Sequence, residues 1–236
     1  FKKIDGFFSK FFLGKSGGCI LLTEGMADYL RLLPNQYIVV EGVSRPDVGA
    51  EVSRNSVNRN VILYTGTLAR RYGVCELVDA FNELKDDSVE LWICGEGDAK
   101  AAIVSAAEKN PKIKFFGQIP IESVRVMQRE ARILINPRAP EGEYTKYSFP
   151  SKIIEYMASG RPLIMHRLDG IPNDYYNYCF SPKNADVHSL AECISEVTRL
   201  SDLELDRVGL LAREFIMANK TSRCQAKKII KFIEKI

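Results

Sequence analysis

Histidine is scarce in this chain, and so is an excess of charge of either sign; each shortage removes a class of function. Only His166 and His188 occur among 236 residues, so a histidine-rich metal site is not expected. The six cysteines, Cys19, Cys75, Cys94, Cys179, Cys193 and Cys224, form no C-x-x-C pair. Cys19 and Cys94 sit inside apolar strand-like runs, where a thiol reads as a buried core residue. The 33 basic and 30 acidic side chains leave a formal charge of +3, too small to imply nucleic acid. Long hydrophobic runs are missing too: "CILLT" and "VILYTG" stop well short of a membrane span, and no signal-peptide pattern is visible. No G-x-G-x-x-G follows a first strand and no G-x-x-x-x-G-K-[ST] occurs, so the dinucleotide fingerprint and the P-loop are absent. These absences describe a reduced, cytoplasmic chain with no metal, no bound cofactor and no nucleic-acid partner.

What is present is alternation. Short apolar, β-branched runs fall at 19–23, 37–41, 61–65, 89–94, 113–117, 132–136 and 162–166. Amphipathic helical patterns separate them at about 24–32, 74–85, 99–109, 121–131 and 150–159. Strands without polar alternation are strands buried on both faces. Strand and helix in turn imply βαβ units, so the fold class is α/β with a Rossmann-like, doubly wound parallel sheet. The alternation breaks at "GVSRPDVGAEVSRNSVNRN", Gly42 to Asn60, which is polar and punctuated by Gly and Pro. Residues 1–44 hold too few elements for a core and are expected to be the tail of a preceding domain, with a linker at 45–60. Residues 61–217 form the main domain, and 218–236 a final helix of an all-helical C-terminal segment.

In an open parallel sheet, ligands bind at the carboxyl ends of the strands. That rule selects "GTLARRYG" (66–73), "GEGD" (95–98), "QIP" (118–120) and "PRAPEGEYTKYSFPSK" (137–152). The last loop runs into "SFPSKIIEYMASGRP". At about 100° per residue, Ile153, Ile154, Met157 and Ala158 share one helix side, and Ser151, Lys152, Glu155 and Ser159 the other. Pro150 suits the first turn; Gly160 and Pro162 end the helix. Free amides at a helix start, with Lys152 beside them, suit an anion, and Glu155 one turn on can accept hydrogen bonds from hydroxyls. Phosphate followed by hydroxyls along one face fits a sugar nucleotide. The plain alternative is a surface i,i+3 ion pair between Lys152 and Glu155. The length of the preceding loop favours a functional reading.

In this order and spacing, "VILYTGTLARRYGVCELVDAF", "VELWICGEGD", "IKFFGQIP", "ARILINPR" and "SFPSKIIEYMASGRPLI" resemble the nucleotide-binding half of family 4 (group 1) glycosyltransferases. The resemblance covers Val61 to Phe180 and extends more weakly through "CILLTEGMADYL" and "YIVVEGVSR". It implies the GT-B fold, two Rossmann-like domains across a cleft, of which residues 1–44 would be the tail of the acceptor-binding domain. It also implies transfer of a hexose, with retention, from a UDP- or GDP-sugar to a glycan or lipid-linked acceptor, as in surface-polysaccharide biosynthesis, without a metal. This chain by itself is then expected to be an inactive fragment.

The family's paired glutamates, separated by seven residues, match Glu155 as the ribose ligand but meet Tyr147 at the first place. Glu143 or Glu141 either substitutes for the missing acid or is solvated. Where the family carries Arg and Lys in its phosphate loop, this chain has Thr67 and Tyr72. Arg71 either supplies the charge by a one-residue displacement or faces solvent beside Arg70. Gly66 permits close approach of a ligand. By the same resemblance Gln118 and Ile119 would hold the nucleobase through backbone groups, whereas Glu96 reads as an exposed turn acid. The donor-binding set is therefore Gly66, Thr67, Arg71, Gln118, Ile119, Ser151, Lys152 and Glu155. A sugar-nucleotide epimerase of the same architecture and an inactive nucleotide-binding module are the alternatives. Finally, "FKKIDGFFSKFFLGK" and "KKIIKFIEKI" interleave Phe and Ile with Lys. Such segments either lie on an anionic bilayer at the inner face of the membrane or pack within the acceptor domain.

Overall fold

The computed structural model describes residues 16–44 and 58–236. The stretch 1–15 and the linker residues 45–57, on which expectations above fall, lie outside the described residues. The main unit is a five-stranded, all-parallel sheet of β3 (Asn58–Thr65), β4 (Glu90–Cys94), β5 (Ile113–Gly117), β6 (Ala131–Asn136) and β7 (Leu163–Met165). Their order is β5-β4-β3-β6-β7. The chain thus builds outward from β3 to one edge, then returns to β3's other side, which is the doubly wound arrangement.

Each strand feeds both faces because its side chains alternate with period two. Ile62, Tyr64, Leu91, Ile93, Ile133 and Ile135 join one core. That core includes Val74, Leu77 and Phe81 of α2 (Val74–Asn82), Ile103 of α3 (Lys100–Lys109) and Leu190 and Ile194 of α6 (Val187–Thr198). Val61, Leu63, Leu134 and Leu163 belong to the opposite core. There they meet Ile153, Ile154 and Met157 of α5 (Lys152–Ala158) and Ala212, Phe215 and Ile216 of α7 (Asp202–Asn219). Helix α4 (Ile121–Glu130) covers the sheet beside β6. Side-chain caps set several starts: Asp186 accepts from Ser189 N–H at α6, and Ser201 with Glu204 forms a capping box at α7.

The small remaining unit pairs β1 (Cys19–Leu21) with β2 (Tyr37–Val39) in parallel, bridged by α1 (Glu24–Leu30). It is docked by a mid-chain loop and by the last helix. Thr23 Oγ1 donates to the Lys146 carbonyl at 2.8 Å. The last helix, α8 (Ser222–Ile233), folds back so that Gln225 Nε2 donates to the Gly42 carbonyl at 2.9 Å and Lys228 Nζ to the Val39 carbonyl at 2.7 Å. Beneath them Glu41 is buried against Lys220, and Tyr175 donates its hydroxyl to Glu41 Oε1 at 3.2 Å. Gly18 lies directly under the Phe232 ring, and a Cβ there would come within 2.6 Å of it and displace the ring.

Element bounds fall within a few residues of the sequence expectation, and two of the differences bear on the site. Strand β3 begins at Asn58, inside the stretch expected to be linker, because Asn58 already pairs with Ala131. Helix α5 begins at Lys152 rather than Pro150, with Ser151 as its N-cap residue. Ser151 already has helical dihedrals, φ −54° and ψ −25°, and Ile153 N–H donates to the Pro150 carbonyl at 3.0 Å, so a tight first turn leads into the helix from Pro150. Three 3-10 turns, Arg70–Tyr72, Glu143–Tyr147 and Asn173–Tyr178, lie in segments without a helical period.

Candidate functional site

The loops at the carboxyl ends of β3, β4, β5 and β6 surround a cleft of about 870 Å³. It lies where the strand order reverses between β3 and its two neighbours, the position at which open parallel sheets bind ligands. Its floor is Thr65 and Gly66 from β3 and Gly95 from the turn after β4. These two turns touch backbone to backbone. Gly95 has φ 145°, and a Cβ there would sit 1.8 Å from the Gly66 carbonyl oxygen. Across the cleft, Gly73 (φ 77°) lies so close to the Pro137 carbonyl that a Cβ would come within 2.3 Å. Glycine is required at both places. The first holds the two turns of the floor together; the second binds loop 66–73 to loop 137–152.

One wall is apolar, built from Ile119, Pro120, Ile121 and Val124. The other is polar: Asn136, Arg138, Ser148, Ser151 and Lys152. Tyr64 donates to the Thr67 carbonyl at 2.8 Å and so props the loop that follows β3. Burial pushes the Tyr64 hydroxyl far up, and the Cys94 thiol beneath the cleft up to about 11, so neither ionises at neutral pH. The fully buried Tyr156 donates to the Thr65 carbonyl at 2.8 Å and accepts from Thr65 N–H at 2.7 Å. This ties α5 rigidly to the end of β3.

Of the residues nominated by sequence, Gly66, Thr67, Gln118, Ile119, Ser151 and Lys152 line the cleft. Glu155 stands just behind the wall. Its Oε2 accepts from Lys152 Nζ at 2.9 Å and its Oε1 from Gln128 Nε2 at 2.9 Å, while Gln128 also donates to Thr65 Oγ1 at 2.8 Å. The i,i+3 ion pair therefore exists, and it is part of a chain of contacts reaching β3. A carboxylate offers about four acceptor positions, so each oxygen retains capacity for a hydroxyl.

Arg71 is exposed, with its guanidinium 5.1 Å from the centre of the Tyr72 ring, and it does not line this cleft. Arg70 is exposed as well and contacts Cys75. Glu141 and Glu143 are exposed, and Tyr147 packs edge-on against Tyr29 of α1 at 5.6 Å. Glu96 lines the cleft but pairs with Lys100 at 2.7 Å. Sequence reasoning missed Arg138, which is buried, lines the cleft, and donates from Nη2 to Ser148 Oγ at 2.6 Å. The available signal was its place immediately after β6, in "INPR". Among the described residues, no group of three or more His, Cys, Asp or Glu side chains could hold a metal ion.

A doubly wound parallel sheet with a partly polar cleft at its switch point defines a Rossmann-like ligand-binding unit. The model of the family described as "Glycosyl transferases group 1" matches residues 59–199, more than half of the chain. The chain belongs to the group 1 glycosyltransferases.

A Bacillus subtilis (strain 168) protein described as a teichuronic acid biosynthesis glycosyltransferase, TuaC, is 27% identical over 142 residues, 59% of this chain and 33% of its own length. The crystal structure of TarM, a protein of S. aureus, superposes with a TM-score of 0.75 at 16% identity, covering 95% of this chain and 45% of that one. HepE of Anabaena, solved in complex with UDP, superposes with a TM-score of 0.72 at 14% identity over 94% of this chain and 64% of its own. Those structures establish the fold, one Rossmann-like half of the GT-B architecture. The chain spans about a third of the curated relative and about half of TarM. Among the described residues, no helix is long and apolar enough to cross a membrane.

Proposed function

We propose that the cleft binds a nucleotide sugar and that the complete protein transfers its hexose to a glycan or lipid-linked acceptor of a surface polysaccharide, with retention. One observation carries this reading: a cleft of about 870 Å³ at the switch point, lined by the apolar Ile119, Pro120, Ile121 and Val124 and by the cations Lys152 and Arg138. That size suits a nucleotide-sized ligand. A flat base against the apolar lining leaves the phosphates to the cationic side chains. Lys152 is assigned to the phosphates, Glu155 to the ribose hydroxyls, and the backbone of Gln118 and Ile119 to the base. Gly66 and Thr67 let the donor approach the end of β3, with Ser151 beside it. UDP is the nucleotide present in the HepE and TarM structures, and teichuronic acid biosynthesis is the role described for the Bacillus relative; both support the reading. Fixed cations can stabilise a departing diphosphate without a metal.

Titration with UDP, GDP, ADP and uridine tests the reading. UDP or GDP is expected to bind, and failure of all the nucleotides would remove it. Lys152→Ala should weaken UDP far more than uridine, with a loss that shrinks as salt rises. Glu155→Gln should weaken UDP and uridine alike by about 1–3 kcal/mol, the range for a hydrogen bond to a charged group. An unchanged affinity for uridine would reduce Glu155 to a holder of Lys152.

A second reading, a module that binds nucleotide without transfer, is favoured by Tyr147, which stands at the family's first glutamate and packs on Tyr29. Product formation from a UDP- or GDP-sugar by the complete protein separates the two. Contact with a membrane is a further element of the proposal. In α8, Phe232 is covered by Gly18, while Ile230 and Ile233 are exposed. Co-sedimentation of the complete protein with anionic vesicles at low salt is the measurement, and protein left in the supernatant would remove this element.

A further inference from the structure

The loop that follows β3 brings no cation to the cleft. Gly66, Thr67 and Tyr72 line it, while Arg70 and Arg71, the two basic residues of that loop, are exposed outside it. A cation arrives instead from the loop after β6. Arg138 is only 7% exposed yet lines the cleft. Its guanidinium carbon lies 5.3 Å from the centre of the Tyr72 ring and 4.8 Å from that of Tyr144. Tyr144 is fixed in turn, donating its hydroxyl to the Arg71 carbonyl at 3.0 Å, so the two loops share one bracket.

The bracket does not complete the arginine's needs. Nη2 donates to Ser148 Oγ at 2.6 Å, but Nε is buried with no hydrogen-bond partner. Among the described residues no carboxylate pairs with Arg138. A guanidinium cannot shed its charge when buried, and two aromatic faces offset only part of the lost hydration. Among the described residues lining the cleft, Arg138 is the one with a fully buried side-chain nitrogen left unmatched. Lys152, on the same wall, is partly neutralised by Glu155 at 2.9 Å, which leaves Arg138 the least compensated positive charge facing the cleft.

We propose that Arg138, held between Tyr72 and Tyr144, is the principal diphosphate-binding residue of this protein, in place of the arginines of loop 66–73. The planar fork suits two oxygens of a diphosphate, and the tyrosine faces hold its plane. This rests on the cleft being a nucleotide-sugar site.

The test is calorimetric titration of the complete protein and its variants with UDP, GDP, uridine and guanosine, the fold of each variant being checked by thermal melting. In Arg138→Met the affinity for UDP or GDP should fall about thirtyfold or more, as for loss of a charge-assisted bidentate contact, with the nucleosides changed less than about twofold. Arg138→Lys keeps the charge but loses the fork and should fall about five- to tenfold toward the diphosphates. Arg71→Met, the rival, should fall less than about threefold because that side chain is exposed and screened. If Arg138→Met does not fold, Arg138→Lys decides. Diphosphate affinity equal to wild type in the folded Arg138 variant, or equal losses for UDP and uridine, would overturn the assignment to Arg138 while leaving the cleft a nucleotide site. A wild-type protein that binds neither nucleotide nor nucleoside would overturn the reading of the cleft itself.

Discussion

Residues 16–44 and residues 58–236 use the same strand–helix–strand grammar with opposite results. In the larger region every strand has neighbours, and both faces of the sheet are covered; Leu63, Leu91, Ile133 and Leu134 have no exposed surface. In the smaller region the strands are three residues long, and the buried apolar set is Cys19, Leu21 and Ala27. Ile20, Leu22, Tyr29, Leu33 and Val43 remain exposed. A two-stranded parallel sheet of this size cannot hold itself in water. It docks onto the larger region through Thr23, which meets Lys146 in mid-chain, and through Glu41 and Gly42, which meet Lys220 and Gln225. A folded arrangement can thus be conditional in one region and self-supporting in the next, although both obey one local pattern.

The sharpest way to break this comparison is Lys220→Met. It strands Glu41, whose side chain is 2% exposed, without its cation, and losing one partner of a buried pair costs about 3–5 kcal/mol. The loss should appear as faster proteolysis and hydrogen exchange confined to residues 16–44, with the five-stranded sheet protected as before. Adding Glu41→Gln should restore much of it. Uniform loss of protection over both regions would show that they are a single cooperative unit.

Next comes a matched pair of core truncations. Leu134→Ala should cost about 2–5 kcal/mol of global stability, whereas Leu21→Ala should cost well under that, measured by denaturant midpoints. Equal costs would mean that the small region is as firmly built as the large one.

The smallest effect is a separation in acid. Burial raises the Glu41 pKa, but the Lys220 hydrogen bond and charge outweigh it and hold the carboxyl below its ordinary 4.5. Its contribution is therefore present above pH 4.5 and is lost as pH falls through the lowered folded value. In the larger region burial depresses His166 below its ordinary 6.5, so its neutral form contributes stability above that pH and loses it as pH falls through the folded value. Exchange followed by region between neutral and acid pH should show the larger region begin to weaken first, near His166, and residues 16–44 release later. Simultaneous loss would remove the separation.

The strands and most helices were legible because strands buried on both faces carry unbroken apolar runs and helices carry their 3.6 period. The loops of the cleft were legible as well, since the switch-point rule needs only strand order. What stayed hidden depends on contacts between distant residues. Gln128 meets Glu155 across 27 positions, and Lys220 meets Glu41 across 179, with no local pattern announcing either pair. Arg138 escaped notice for a related reason. Its value lies in the rings of Tyr72 and Tyr144 on both sides and in an unmatched Nε, and none of these follows from spacing. Ser151 was expected inside the helix and stands at its N-cap, in a tight turn closed by Ile153 N–H on the Pro150 carbonyl, a distinction that periodicity does not carry.

The long-range docking by α8 also sets a timetable during synthesis. Lys228 and the Val39 carbonyl that it contacts are separated by 189 residues. At about 5–20 residues per second, roughly 10–40 s pass at the ribosome between the emergence of one and the other. Through that interval β1 and β2 wait without the Gln225 and Lys228 contacts, while the five-stranded sheet can already close. The strand pair is therefore synthesised well before the helix that ties it to the rest of the fold.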